Sequence, residues 1–133
     1  MNVLKAEILF FKTSGQIIIC ELNTHGETAT AVILDSPADM DYLTPGGHVN
    51  MLFKATEVIL AVGDLGTLSL NNRFKGKITS MDTGDIFTSI KIDFGTGIES
   101  VITTKSAKRM NLEVGMEVTA LVKANEIAIG KII

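Results

Sequence analysis

The residues best suited to chemistry in this chain are hydroxyl and lysine side chains at recurring positions. The chemistry they suit is holding an anion. Thr103-Thr104-Lys105-Ser106 has the composition of a helix start, Lys123-Ala124 closes the strand-forming run after it, and Lys54-Ala55 closes an equivalent run earlier. A serine hydroxyl donates, a lysine ammonium adds a compact positive charge, and amides at a helix start or turn donate without a counter-charge. The plainer alternatives are a simple cap for Thr103–Ser106 and solvated strand-end lysines for the other two pairs. Recurrence of the lysine–alanine pair favours a site, although a repeated fold also repeats structural lysines. Other chemistries find less support. His25 and His48 are far apart with no partner at metal-ligand spacing, so a metal site is not expected. No nucleophile stands beside a base, so an enzyme is not expected. Cys20, among isoleucines, reads as a core thiol. Gly84, Gly95 and Gly97 read as turn glycines without phosphate-loop spacing.

The elements that must position these residues come in two copies. Leu43, Gly46, Val49, Leu52, Lys54, Ala55 and Glu57 recur as Leu112, Gly115, Val118, Leu121, Lys123, Ala124 and Glu126, always at the interval between Lys54 and Lys123. The chain is a tandem repeat. In the first copy, strands are expected over Val3–Phe11, Gln16–Leu22, Ala29–Leu34, Val49–Lys54 and Val58–Val62. The triplet Ile17-Ile18-Ile19 is too continuous to fix a buried face, and Ser36-Pro37 reads as a helix start with serine as N-cap. In the second copy the strands are Leu68–Met81, Ile86–Phe94, Ile98–Thr103, Glu117–Lys123 and Ile127–Ile132. The first is expected to bend near Gly76. In the next, Ile86, Thr88, Ile90, Ile92 and Phe94 lean to one side.

Each half therefore reads β-β-β-α-β-β. That order points to an all-β chain of two tandem OB-like Greek-key β-barrels, each five-stranded with one short helix. The expected domains are 1–63 and 68–133, joined by a linker at 64–67.

Composition bounds the rest. Apolar residues make up 46% of 133 residues with no tryptophan, and halves this small usually need a partner to complete a core. A homo-oligomer is expected. A net charge of −3 argues against nucleic acid as a partner. No apolar run reaches the length of a membrane span, no secretory leader is evident, and a single cysteine fits a cytoplasmic location.

Three segments carry a resemblance to a known family. Ser69-Leu70-Asn71-Asn72-Arg73-Phe74-Lys75-Gly76-Lys77-Ile78 is similar to the opening "SARNQLKGKI" of molybdate-binding Mop (TOBE-type) domains. Ile102–Ser106 with Leu112–Gly115 resembles their "VTxxS…LxxG", and Leu121–Ile127 resembles their "LxKAxxV". The likeness covers the second half and extends more weakly to the first, the layout of di-domain molbindins. It implies a cytoplasmic protein that binds molybdate or tungstate without an organic cofactor, for storage or buffering. It also implies a homotrimer with anion sites at subunit boundaries. The implied site residues are Ser69, Asn71 (where the family has arginine), Ser106, Lys123 and Ala124, with Lys54 and Ala55 in the first half. Arg73 lies near the missing arginine, and Pro37 stands opposite Ser106, with Ser36 one place off. The second half then keeps more of the set, so unequal sites are expected. A tetrahedral dianion needs many donors and some positive charge, which backbone, hydroxyl and lysine supply together. A competing class is the oxyanion-sensing module of a transcription regulator or transporter ATPase.

Overall fold

The structure, a computed structural model, describes residues 1–33 and 43–132. Two five-stranded antiparallel sheets are built from β1 (Asn2–Ser14), β2 (Ile17–Thr24), β3 (Glu27–Ile33), β4 (His48–Phe53), β5 (Ile59–Ala61), β6 (Asn72–Thr83), β7 (Phe87–Asp93), β8 (Gly97–Thr103), β9 (Glu117–Val122) and β10 (Ala128–Lys131). A six-residue helix, α1 (Thr104–Arg109), follows β8. The helix start expected at Ser36-Pro37 lies outside the described residues.

Period-two burial fixes which face each strand turns inward. On β1, Leu4, Ala6 and Ile8 are buried while Val3, Lys5 and Glu7 face water. On β6 the same pattern buries Asn72, Phe74, Gly76 and Ile78. The isoleucine triplet resolves in the same way: Ile18 goes in with Cys20 and Leu22, and Ile17 and Ile19 go out. On β7, Thr88, Ile90 and Ile92 are buried and Phe94 is half-buried as expected. Ile86, however, is 70% exposed and lies in the turn before the strand.

One strand boundary needs correcting. The first strand of the second half begins at Asn72, not Leu68. Arg73 turns back on that segment, its Nε donating to Leu70 O (2.9 Å) and Nη2 to Leu68 O (3.0 Å), and pairing with β9 ends at Asn72–Val122. Along β6 the register is irregular between Ile78 and Ser80, two residues past Gly76, matched in the first half between Ile8 and Phe10. A repeated turn stitches each bulge. Gly46 N donates to Ile8 O (2.7 Å) and Gly115 N to Ile78 O (2.8 Å). Both glycines hold positive φ (84° and 94°), where a side chain would be strained. Gly76 instead permits close approach, since a Cβ there would lie 2.4 Å from the backbone oxygen of Asp93.

The sheets do not follow the sequence repeats. One has the order β10-β4-β1-β2-β3 and the other β5-β9-β6-β7-β8, so each half sends its last strand into the sheet of the other. The register is the same on both sides of the exchange, with Leu52 opposite Ala128 and Ile59 opposite Leu121. The connections from β4 to β5 and from β9 to β10 therefore cross from one sheet to the other.

Further contacts lock the halves together. Asn72 Oδ1 accepts from Thr30 N (2.6 Å) and its Nδ2 donates to Thr30 O (2.9 Å). Asn2 does the same to Glu99, with both bonds at 2.8 Å. Each asparagine thus closes the free edge of β3 or β8 with a side-chain amide in place of a strand. The His25 and Phe94 rings meet edge-on at 6.3 Å, and the buried side chains of both halves form one continuous core.

Candidate functional site

The lysine–alanine pairs stand at the strand exchange. Lys54 caps a 3-10 turn over Ala55–Glu57 that leads into β5, and Lys123 caps the matching turn over Ala124–Glu126 that leads into β10. Their backbones are nearly superimposable in angle: φ −73°, ψ 140° for Lys54 and φ −69°, ψ 139° for Lys123. Within each turn the first internal donor is the third residue, with Glu57 N to Lys54 O at 3.0 Å and Glu126 N to Lys123 O at 2.9 Å. The two amides before it, Ala55 and Thr56 or Ala124 and Asn125, lie ahead of that first bond. Both lysines are exposed and both alanines half-buried. Paired amides beside an ammonium form a small concavity that can take an anion.

The β6–β9 ladder ends one residue short of Asn71 and Lys123. Asn72 pairs with Val122, so Asn71 and Lys123 are the next residues on the two strands beyond that pair, with Ser69 two residues further out. Ser69 and Asn71 are exposed on the segment that Arg73 fastens. Arg73 is thus engaged with carbonyls next to Ser69. The β3 strand closes on the same corner through the Asn72–Thr30 pair, and the Lys123-capped turn packs against it.

Ser106 belongs to another corner. It lines a groove of about 440 Å³ together with Thr103, Arg109 and Met110 from its own half and Thr56, Val58 and Ile59 from the other. The structure thus places Ser106 with the Lys54-capped turn, through Thr56, in a groove that Lys123 and Ala124 do not line. The sequence repeat alone assigns Ser106 to the second-half set. Exchange of β5 and β10 is what regroups it, because the turn reaching β8 comes from the first half.

The start of α1 is organised by hydroxyls. Thr103, the N-cap, accepts from Ser106 N at 3.1 Å, and its Oγ1 donates to Ser106 Oγ at 2.9 Å. Ser106 Oγ is therefore an acceptor within the cap, and its own proton is free to point elsewhere. Thr104 N donates to Ile86 O (2.8 Å) and Thr104 Oγ1 to Gly84 O (2.7 Å), which ties the helix to the β6–β7 turn. Two of the first three helix amides are thus used internally, and the hydroxyl carries more of the donor role than the amides do.

Sequence reasoning missed Asn2 and Asn72 as positioning residues. Their signal was present as an asparagine at the start of the first strand in each half, and Asn72 stands at the asparagine of the "SARN" motif. Thr56 was missed because only the exchange of strands brings it beside Ser106, whereas Arg109, three residues further along α1, was within reach of helix spacing alone. Among the described residues no three His, Cys, Asp or Glu side chains gather at metal-binding distance.

Comparison with known proteins agrees with this architecture. The TOBE domain model matches residues 68–129. The molybdenum-pterin-binding protein MopA of Rhodobacter capsulatus is 39% identical over 107 residues, covering 78% of this chain and 40% of the relative. MopB of the same organism is 34% identical over 105 residues, covering 77% and 39%. The chain thus spans about two-fifths of the length of these two relatives. A probable molybdenum-pterin-binding protein of Haemophilus influenzae is 35% identical over 65 residues, covering 47% of this chain and 94% of the relative. Among solved structures, the cytoplasmic molybdate-binding protein ModG, in a crystal form with molybdate bound, matches with a TM-score of 0.89 over 98% of this chain and 96% of that one. At 23% identity that match speaks for the fold, a tandem pair of OB-like barrels. With the Haemophilus relative covered almost end to end and a fold of paired OB-like barrels, this chain belongs to the molybdenum-pterin-binding protein family, as a tandem pair of Mop/TOBE-type domains.

Proposed function

We propose that this protein captures molybdate or tungstate reversibly and without covalent chemistry, serving to store or buffer the oxyanion in the cytoplasm. The observation that carries this is the placing of two lysine-capped turns with nearly identical backbone angles at the strand exchange. Around them stand hydroxyls and amides, and the β6–β9 ladder ends one residue short of Asn71 and Lys123. One site is formed by Ser69, Asn71, Lys123 and Ala124, and the other by Lys54, Ala55 and Ser106. The names of the relatives and the molybdate bound to ModG support the identity of the anion.

The protein works as a homotrimer in this reading, with each site completed by a neighbouring chain. Support comes from large apolar side chains left in water, among them Phe10 (49%), Ile59 (51%), Phe87 (59%) and Val114 (62%). Native mass spectrometry with and without sodium molybdate tests anion and assembly together. The expected species has three chains of 14.3 kDa, about 43 kDa, and gains discrete oxyanion masses. A monomer that holds molybdate tightly refutes the shared site, and a trimer that gains no mass in millimolar molybdate refutes the ligand.

A further inference from the structure

The groove beside Ser106 contains a cation that the family resemblance does not point to. Ser106 and Arg109 are three residues apart on α1 and so share one face of it, and both line the groove. The facing wall is Thr56, in the turn capped by Lys54 in the other half. Ile59, Phe87, Ile102 and Met110 make the rest of the lining apolar, and among the described residues no carboxylate takes part. Among the described residues Arg109 has neither an ion pair nor a hydrogen bond with another side chain. Arg73, by contrast, is committed to the carbonyls of Leu68 and Leu70. The groove therefore pairs a hydroxyl whose proton is free with an unengaged guanidinium, beside apolar walls that exclude water from one side. Such walls lower the local dielectric and strengthen the pull of a cation on an anion.

We propose that Arg109 is the charged donor of the Ser106 site and sets its preference for a dianion. Resting on the oxyanion-binding function proposed above, this adds a residue and a division of labour. One corner uses Lys123 next to the uncharged Asn71, and the other uses Lys54 with Arg109. Planar N–H pairs suit two oxygens of a tetrahedral dianion better than a point charge does.

Isothermal titration calorimetry with sodium molybdate tests it on the full chain, comparing Arg109→Ala, Arg109→Lys, Ser106→Ala and Lys108→Ala. Lys108 lies one residue away with the same charge but outside the groove, so its loss reproduces the change in net charge alone. Arg109→Ala should weaken one class of sites about ten- to a hundredfold, as expected for a hydrogen bond to a charged group. Arg109→Lys should recover part of that affinity, Ser106→Ala should weaken the same class, and Lys108→Ala should leave it unchanged. Equal losses in Arg109→Ala and Lys108→Ala would show a general field effect and overturn the proposal. So would wild-type affinity in Arg109→Ala while Ser106→Ala binds weakly, an outcome that leaves oxyanion binding itself standing. Absence of any heat from the wild-type protein would instead overturn the oxyanion function, and this inference with it.

Discussion

Replacing Asn72 by alanine should be among the most damaging single changes outside the hydrocarbon core. The side chain is fully buried and makes both of its hydrogen bonds to one residue of the other half, Thr30 N at 2.6 Å and Thr30 O at 2.9 Å. Alanine removes both bonds and leaves two edge-strand groups to find water. Each lost bond costs about 1 kcal/mol net, and each group left dry adds about 1–3 kcal/mol. Because Thr30 is only half-buried, water can reach part of that edge, and the total comes to about 2–4 kcal/mol. For a chain of this size that lowers the melting temperature by about 8–15 °C. Asn2 makes the equivalent pair with Glu99 at the start of the chain and is 7% exposed, so Asn2→Ala should cost about half as much. Asn72→Asp should do worse than alanine at neutral pH, since it sets a carboxylate against the Thr30 carbonyl. Differential scanning calorimetry of the four proteins decides the matter. An Asn72→Ala melt within about 2 °C of wild type would refute the idea that this amide holds the halves together.

Three further outcomes are expected. Gly76→Ala should lose about 1–3 kcal/mol because its Cβ would meet the Asp93 backbone, whereas Gly97→Ala, with open space around it, should melt close to wild type; urea unfolding compares them. Burial, with Glu21 adding in the same direction, pushes the Cys20 thiol up to about 11 from 9.0, so stability should be full below pH 9.0 and fall as pH rises toward 11. Cys20→Ala should flatten that part of the profile, and a wild-type curve already flat from pH 9 to 11 would count against it. Ser106→Ala and Lys54→Ala should weaken one class of oxyanion sites and Ser69→Ala and Lys123→Ala the other; calorimetry in which Ser106 groups with Lys123 would contradict the regrouping.

The strands were legible because their signal is local. Alternation of Leu4, Ala6 and Ile8 with exposed neighbours, and of Phe74 and Ile78 with Lys75 and Lys77, needs only a period of two. The cap at Thr103 was legible for the same reason. Pairing partners were not. Nothing in Ile59–Ala61 or Ala128–Lys131 says which of β4 and β9 each will join, because both copies offer an edge of nearly the same chemistry. The start of β6 was misplaced because Leu68 and Leu70 look like strand residues, and only the long reach of Arg73 to their carbonyls ends the ladder at Asn72. A glycine inside a strand, such as Gly76, signals either a bend or a close approach, and only the structure shows the Asp93 backbone lying against it.

Strand exchange also decides how the candidate sites relate. Had each half kept its own last strand, Lys123 and Ser106 would have served one barrel and Lys54 another, and each barrel could have bound independently. With β5 and β10 exchanged, every turn that carries a lysine and alanine begins in one sheet and ends in the other. The Lys54-capped turn packs against β8 and the Lys123-capped turn against β3, so neither corner is complete within one sequence repeat. The asparagine pairs add a second tie at the same strands, since Asn2 holds β8 and Asn72 holds β3. A shift of one sheet against the other would therefore disturb both corners together. The repeat doubles the parts, and the exchange makes the two copies one structural unit.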